Sequence, residues 1–110
     1  MSDRIIKVNE LVGQKLGQLM LQELELPLGT LITITSVSVS PDLSSAKIFV
    51  SVMPTEQKKE AMKILINGRG NLQKLLGQEI VLRRTPKLIF LIDEIGEKVA
   101  ELDRLLDNLQ

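Results

Sequence analysis

The sequence predicts an α+β domain, with helices packed on a small sheet, and three patterns lead there. Apolar residues recur at helical spacing at both ends of the chain. Two alternating runs flank a Ser-Pro-Asp turn, as in a β-hairpin. A helical stretch then leads into a third, wholly apolar run. A hairpin followed by a helical crossover into another strand is the arrangement in which helices cover one small sheet. At 110 residues the chain has the size of one domain, expected over residues 1–110.

Taken in order, residues 3–24 read as an amphipathic helix, with Ile5, Val8, Val12, Leu16 and Leu19 on one stripe and Ser2 able to cap it. Gly13 and Gly17 beside that stripe fit either close approach of another element or simple tolerance. After the break at Pro27 and Gly29, residues 30–40 read as a strand. Ile32 and Ile34 occupy even positions and Val37 and Val39 odd ones, so a bulge is expected near Thr35-Ser36. Ser40-Pro41-Asp42-Leu43-Ser44 supplies the turn into a strand at 45–53, where Ala46, Ile48, Val50 and Val52 share one face. Thr55 is the natural N-cap of a second helix carrying Ala61, Met62, Leu65 and Ile66. Asn67-Gly68-Arg69-Gly70-Asn71 interrupts that pattern, and Leu72, Leu75 and Leu76 resume it, giving a helix, a break and a short helix. A third strand is expected over 80–92, with Leu88-Ile89-Phe90-Leu91-Ile92 apolar on both faces. Val99, Leu102, Leu106 and Leu109 mark a final amphipathic helix.

Composition narrows the function. Histidine, cysteine and tyrosine are absent, so acid–base or nucleophilic catalysis would fall to Asp, Glu, Lys or Ser. Asp93-Glu94 is the only adjacent acidic pair in the chain, and neighbours at a strand end point apart. There is no phosphate-loop motif of the GxxxxGK[ST] kind. A non-enzymatic protein with no metal or other cofactor is the expectation. No apolar stretch approaches the length of a membrane span and the N-terminus has no secretory layout, so a cytoplasmic location is expected.

The zero net charge conceals an asymmetry. Residues 57–87 carry eight basic side chains against two acidic ones, a net of +6, while residues 88–110 carry two against six, a net of −4. Gly68-Arg69-Gly70 lies within the basic third. Two glycines between helical segments would allow a kink that bares amide N–H groups at a new helix N-terminus, a seat for phosphate. Lys63, Arg69, Lys74, Arg83, Arg84 and Lys87 would add the sequence-independent attraction on which nucleic-acid affinity rests. Other readings stand beside this one: a turn, a solvated charged face, or Gly68 as a helix C-cap. Only Phe49 and Phe90 are aromatic, a poor platform for base stacking.

Element order and three motifs together resemble a known family. A helix–kink–helix before the last strand is similar to a type II KH domain, in which a GXXG loop clamps a nucleic-acid backbone. The ribosome-binding factor A family carries a small residue, any residue and a glycine at that place, and Gly68-Arg69-Gly70 resembles this shorter form. Thr35-Ser36-Val37-Ser38-Val39-Ser40-Pro41-Asp42-Leu43-Ser44-Ser45-Ala46-Lys47 resembles the family's strand–SPDL–strand signature. Leu82-Arg83-Arg84-Thr85-Pro86-Lys87-Leu88-Ile89-Phe90 resembles its run into the third strand. Departures occur at Gln73, where the family usually has arginine, at Lys7-Val8 for arginine–valine, and at Lys87 for a common glutamate.

The resemblance implies a KH-like fold with an additional C-terminal helix. It also implies a monomeric, cytoplasmic assembly factor that binds free 30S subunits and their 16S rRNA, assists late rRNA processing and serves cold adaptation. Lys63, Gly68, Arg69, Gly70, Lys74, Arg83, Arg84 and Lys87 are the expected RNA-binding residues. A general KH-type single-stranded RNA-binding protein is the alternative, and a purely protein-binding module using the acidic last helix is a third reading.

Overall fold

A computed structural model describes residues 3–108. The expected cap at Ser2 and the apolar Leu109 lie outside the described residues. The elements are α1 (Asp3–Glu23), β1 (Leu31–Val39), β2 (Ser45–Met53), a 3-10 turn (Thr55–Gln57), α2 (Lys58–Glu79), β3 (Lys87–Ile92) and α3 (Glu94–Asp107). The sheet order is β1-β2-β3, with β1 antiparallel and β3 parallel to β2. A helical crossover must link two parallel neighbours, and α2 is that crossover.

Strands β1 and β2 form as their alternation dictates. Ala46, Ile48, Val50 and Val52 are buried on one face of β2, and Leu88 and Phe90 of β3 join them. On β1 the parity change is accommodated by a register shift between Ile34 and Ser36, which keeps Ile32 and Val39 buried in the same cluster. From the helices, Val12, Leu16, Leu19 and Met20 of α1 and Ala61, Leu65, Leu72 and Leu76 of α2 close one core against this face. Both helices therefore lie on one side of the sheet. Gly13 has a packing reason, since a Cβ there would stand 3.2 Å from Val37 Cγ2 of β1. Gly17 has ordinary room.

Three sequence expectations change. The third strand starts at Lys87, and residues 80–86 form a loop anchored by the buried Pro86. Thr55 does not cap α2: it opens the 3-10 turn, and Gln57 occupies the N-cap position without a side-chain hydrogen bond. The break at 67–71 is absent, because α2 is one helix of 22 residues. The α+β, KH-like class stands without it.

The last helix forms as expected, with Asp93 as its N-cap accepting from Gly96 N at 2.9 Å. That hydrogen bond, with another from the Thr35 hydroxyl, lowers the Asp93 pKa. The apolar stripe of α3 is not part of the core: Ile95, Val99, Leu102 and Leu106 are all more than half exposed. No helix among the described residues is long and apolar enough to cross a membrane.

Candidate nucleic-acid interface

The unbroken α2 overturns the expected phosphate seat. Within a continuous helix the amides of residues 68–70 donate to carbonyls one turn back, so no bare N–H groups face outward there. The two glycines have separate explanations. Gly68 lies beside the buried face, where a Cβ would stand 3.1 Å from Leu24 Cδ2, so it permits close packing against the end of α1. Asn71 Nδ2 donates to Glu23 Oε1 across the same junction at 3.1 Å. Gly70 faces outward, and a Cβ there would have nothing within 4 Å.

Helix periodicity then sorts the expected site residues. Lys63, Gly70 and Lys74 fall within about 40° of one another around the axis, a single outward stripe, with Lys63 and Lys74 about 16 Å apart along it. All three are exposed. Arg69 is turned more than about 90° from that stripe and is half-buried on the flank of the core-facing side. Gly68 faces inward. The arrangement is thus a continuous basic stripe with a bare patch of backbone at its middle.

Arg83, Arg84 and Lys87 form a second group, in the loop and first strand residue after α2. This loop lies against the last turns of α2, since a Cβ on Gly77 would stand 2.6 Å from Thr85 Oγ1. Gln73, which stands where the family usually has arginine, has a structural role here. Its Oε1 accepts from Leu88 N at 3.1 Å, tying α2 to the edge strand β3.

The hairpin turn sits at the same end of the molecule. Asp42 Oδ1 accepts from Ser40 Oγ at 2.8 Å, Ser44 Oγ at 2.7 Å and Ser44 N at 3.1 Å. These bonds, those of Ser44 first, lower the Asp42 pKa to about 2, and the charge of Arg84 adds to the effect. The network also holds Leu43 at φ 61°, a left-handed conformation unusual for leucine. Its side chain packs against the core.

A sequence profile described as ribosome-binding factor A matches residues 4–106. The chain belongs to the ribosome-binding factor A family. It is 38% identical over 108 residues to the ribosome-binding factor A of Coxiella burnetii, covering 98% of this chain and 91% of the relative. The crystal structure of ribosome-binding factor A from Thermus thermophilus superposes with a TM-score of 0.73 at 22% identity, covering 80% of this chain and 94% of that one. A Thermus thermophilus ribosome-binding factor A homology model, fitted into the cryo-EM map of a 30S complex, gives 0.60 at 24% identity, with coverage of 84% and 93%. These structural likenesses show the fold. In this member of the family the two signature segments meet physically: Lys87 N donates to Ser44 O at 3.0 Å, joining the SPDL turn to the start of β3.

Proposed function

We propose that this protein is a non-catalytic assembly factor that docks on the 30S ribosomal subunit through its 16S rRNA and assists late rRNA maturation. Family membership over residues 4–106 carries this reading. The basic surface supports it physically: Lys63 and Lys74 project from a rigid helix on either side of Gly70, and Arg83, Arg84 and Lys87 follow at its end. Ammonium groups on such a surface attract phosphates and fix orientation without reading sequence. Arg69 and Gly68, turned from this face, are left without a direct part in the contact.

The test is co-sedimentation of the full chain with purified free small subunits across a salt series. Wild-type protein is expected to pellet with subunits and to lose affinity as salt rises. Lys63→Glu with Lys74→Glu should weaken binding at every salt concentration and reduce the log–log salt slope by roughly 1.5 to 2. Their exposed positions predict little change in melting temperature. Salt-insensitive binding, or no binding by the wild type, refutes the reading. Unchanged binding by the double variant refutes the surface assigned to it.

A further inference from the structure

At the end of the molecule where α1 begins, the SPDL turn and the α2–β3 loop border, with the first turns of α1, an open cavity of about 370 Å³. Two arginines from distant parts of the sequence, Arg4 and Arg83, line it. Between them lie apolar groups, chiefly Ile5, Val8 and Leu43, while Val81 stands fully exposed among the lining residues. No residue of the α2 stripe takes part, so this site is separate from the helix face described above.

We infer that this cavity receives one unstacked nucleotide of a single-stranded RNA segment, its base lying against the apolar wall and the guanidinium groups of Arg4 and Arg83. The inference rests on the RNA-binding reading proposed above and names a second contact for it. The volume lies at the low end of small-molecule pockets, roughly 300–1,000 Å³, which suits a single nucleotide. Splayed-out bases stack on aromatic rings or on arginine planes. The two phenylalanines belong to β2 and β3 and do not line the cavity, so the arginines are the stacking groups on offer.

Asp42 decides between a nucleotide and a bare anion. Its carboxylate lines the same cavity and would repel inorganic phosphate. The three hydrogen bonds of the turn fall on Oδ1, which leaves Oδ2 to accept from a base amino group. Guanine, whose N1–H and amino group offer two neighbouring donors, is therefore preferred over uracil, whose N3–H offers one.

The experiment follows methyl resonances of the full-length protein during titration with guanosine monophosphate, uridine monophosphate and inorganic phosphate. Guanosine monophosphate is expected to shift the methyls of Ile5, Val8, Leu43 and Val81 while leaving Ile66 on α2 in place. Uridine monophosphate should bind about fivefold more weakly, and Asp42→Asn should erase that preference. Ile5→Trp, which fills the cavity, should abolish the shifts; its melting temperature and Arg83→Ala, which leaves the walls intact, control for folding. Absence of cavity shifts, equal shifts with phosphate, or full binding by both Ile5→Trp and Arg83→Ala overturns the inference. Salt-sensitive co-sedimentation of the wild type alongside a silent cavity would overturn this inference alone. Failure of the wild type to co-sediment would remove the RNA reading beneath it, whatever the cavity binds.

Discussion

Replacing Gly70 by alanine separates an unbroken α2 from a hinged one, because the two arrangements give the substitution opposite signs. Gly70 has no left-handed φ, lies well inside a helix that runs Lys58–Glu79, and has open space where a Cβ would stand. Glycine at an interior helical position costs about 0.8–1.0 kcal/mol relative to alanine, chiefly through backbone entropy of the unfolded chain. With nothing to collide with, Gly70→Ala should recover most of that, about 1 kcal/mol. For a domain of this size that is a rise of about 4–8 °C in melting temperature. Gly68→Ala is the internal control. Its Cβ would meet Leu24 Cδ2 at 3.1 Å, so the same propensity gain is offset by displacement of Leu24, and the net change should be close to zero. Urea and thermal unfolding followed by circular dichroism measure both. A Gly70→Ala protein less stable than wild type would refute the continuous helix and restore a joint that needs glycine. Equal gains at both positions would refute the close packing of Gly68 on Leu24.

Three further outcomes follow from particular contacts. The Asp42 carboxyl, held down to about 2 by hydrogen bonds from Ser44 and Ser40, contributes stability that is complete above its ordinary value of 3.8 and is lost as pH falls toward 2. Asp42→Asn should flatten the melting temperature over that acid window, and a carboxyl NMR titration midpoint near 3.8 in the wild type would contradict the network. Gln73→Ala leaves Leu88 N without its acceptor and should cost about 1 kcal/mol in urea unfolding, with faster amide exchange at Leu88; unchanged exchange there would refute the tie between α2 and β3. Deleting residues 94–110 should change the stability of the remaining fold by no more than about 0.5 kcal/mol, since the apolar stripe of α3 is exposed, and a substantially larger loss would place that stripe in a contact.

The hairpin, its bulge and the inward faces of β1 and β2 were legible because strand periodicity leaves a parity record in the sequence, a record that the wholly apolar run of β3 lacks. Ile32 and Ile34 against Val37 and Val39 can face one core only if the register slips between them, and it slips between Ile34 and Ser36. The α2 interior was misread for the opposite reason. Two glycines lower local helix propensity, and propensity is a weak guide where tertiary packing compensates. What compensates at Gly68 is Leu24, far back in the chain at the end of α1, which no local pattern displays. Gln73 was hidden in the same way: a polar residue on a helix flank reads as surface, yet it completes the edge of β3. Arg4 gave no signal at all. It becomes a site candidate only because the fold brings the start of α1 beside the SPDL turn and Arg83.

An unbroken α2 alters what its cations can do. Were the helix broken at Gly68-Arg69-Gly70, backbone amides would hold a phosphate at a fixed point, and geometry would select the ligand there. With those amides committed to the helix, the proposed contact along α2 would fall to lysine side chains about 16 Å apart, with bare backbone at Gly70 between them. Such groups supply affinity and salt dependence but little discrimination. Selectivity must then arise where the surface is shaped and its groups are held, and the SPDL end fits that description. There Asp42 is fixed by three hydrogen bonds, Leu43 is held in a left-handed turn, and Lys87 N is bonded to Ser44 O. On the proposed RNA-binding reading, charge reversal on α2 should therefore weaken all RNA ligands alike, whereas changes at Asp42 or Arg83 should alter the ranking among them.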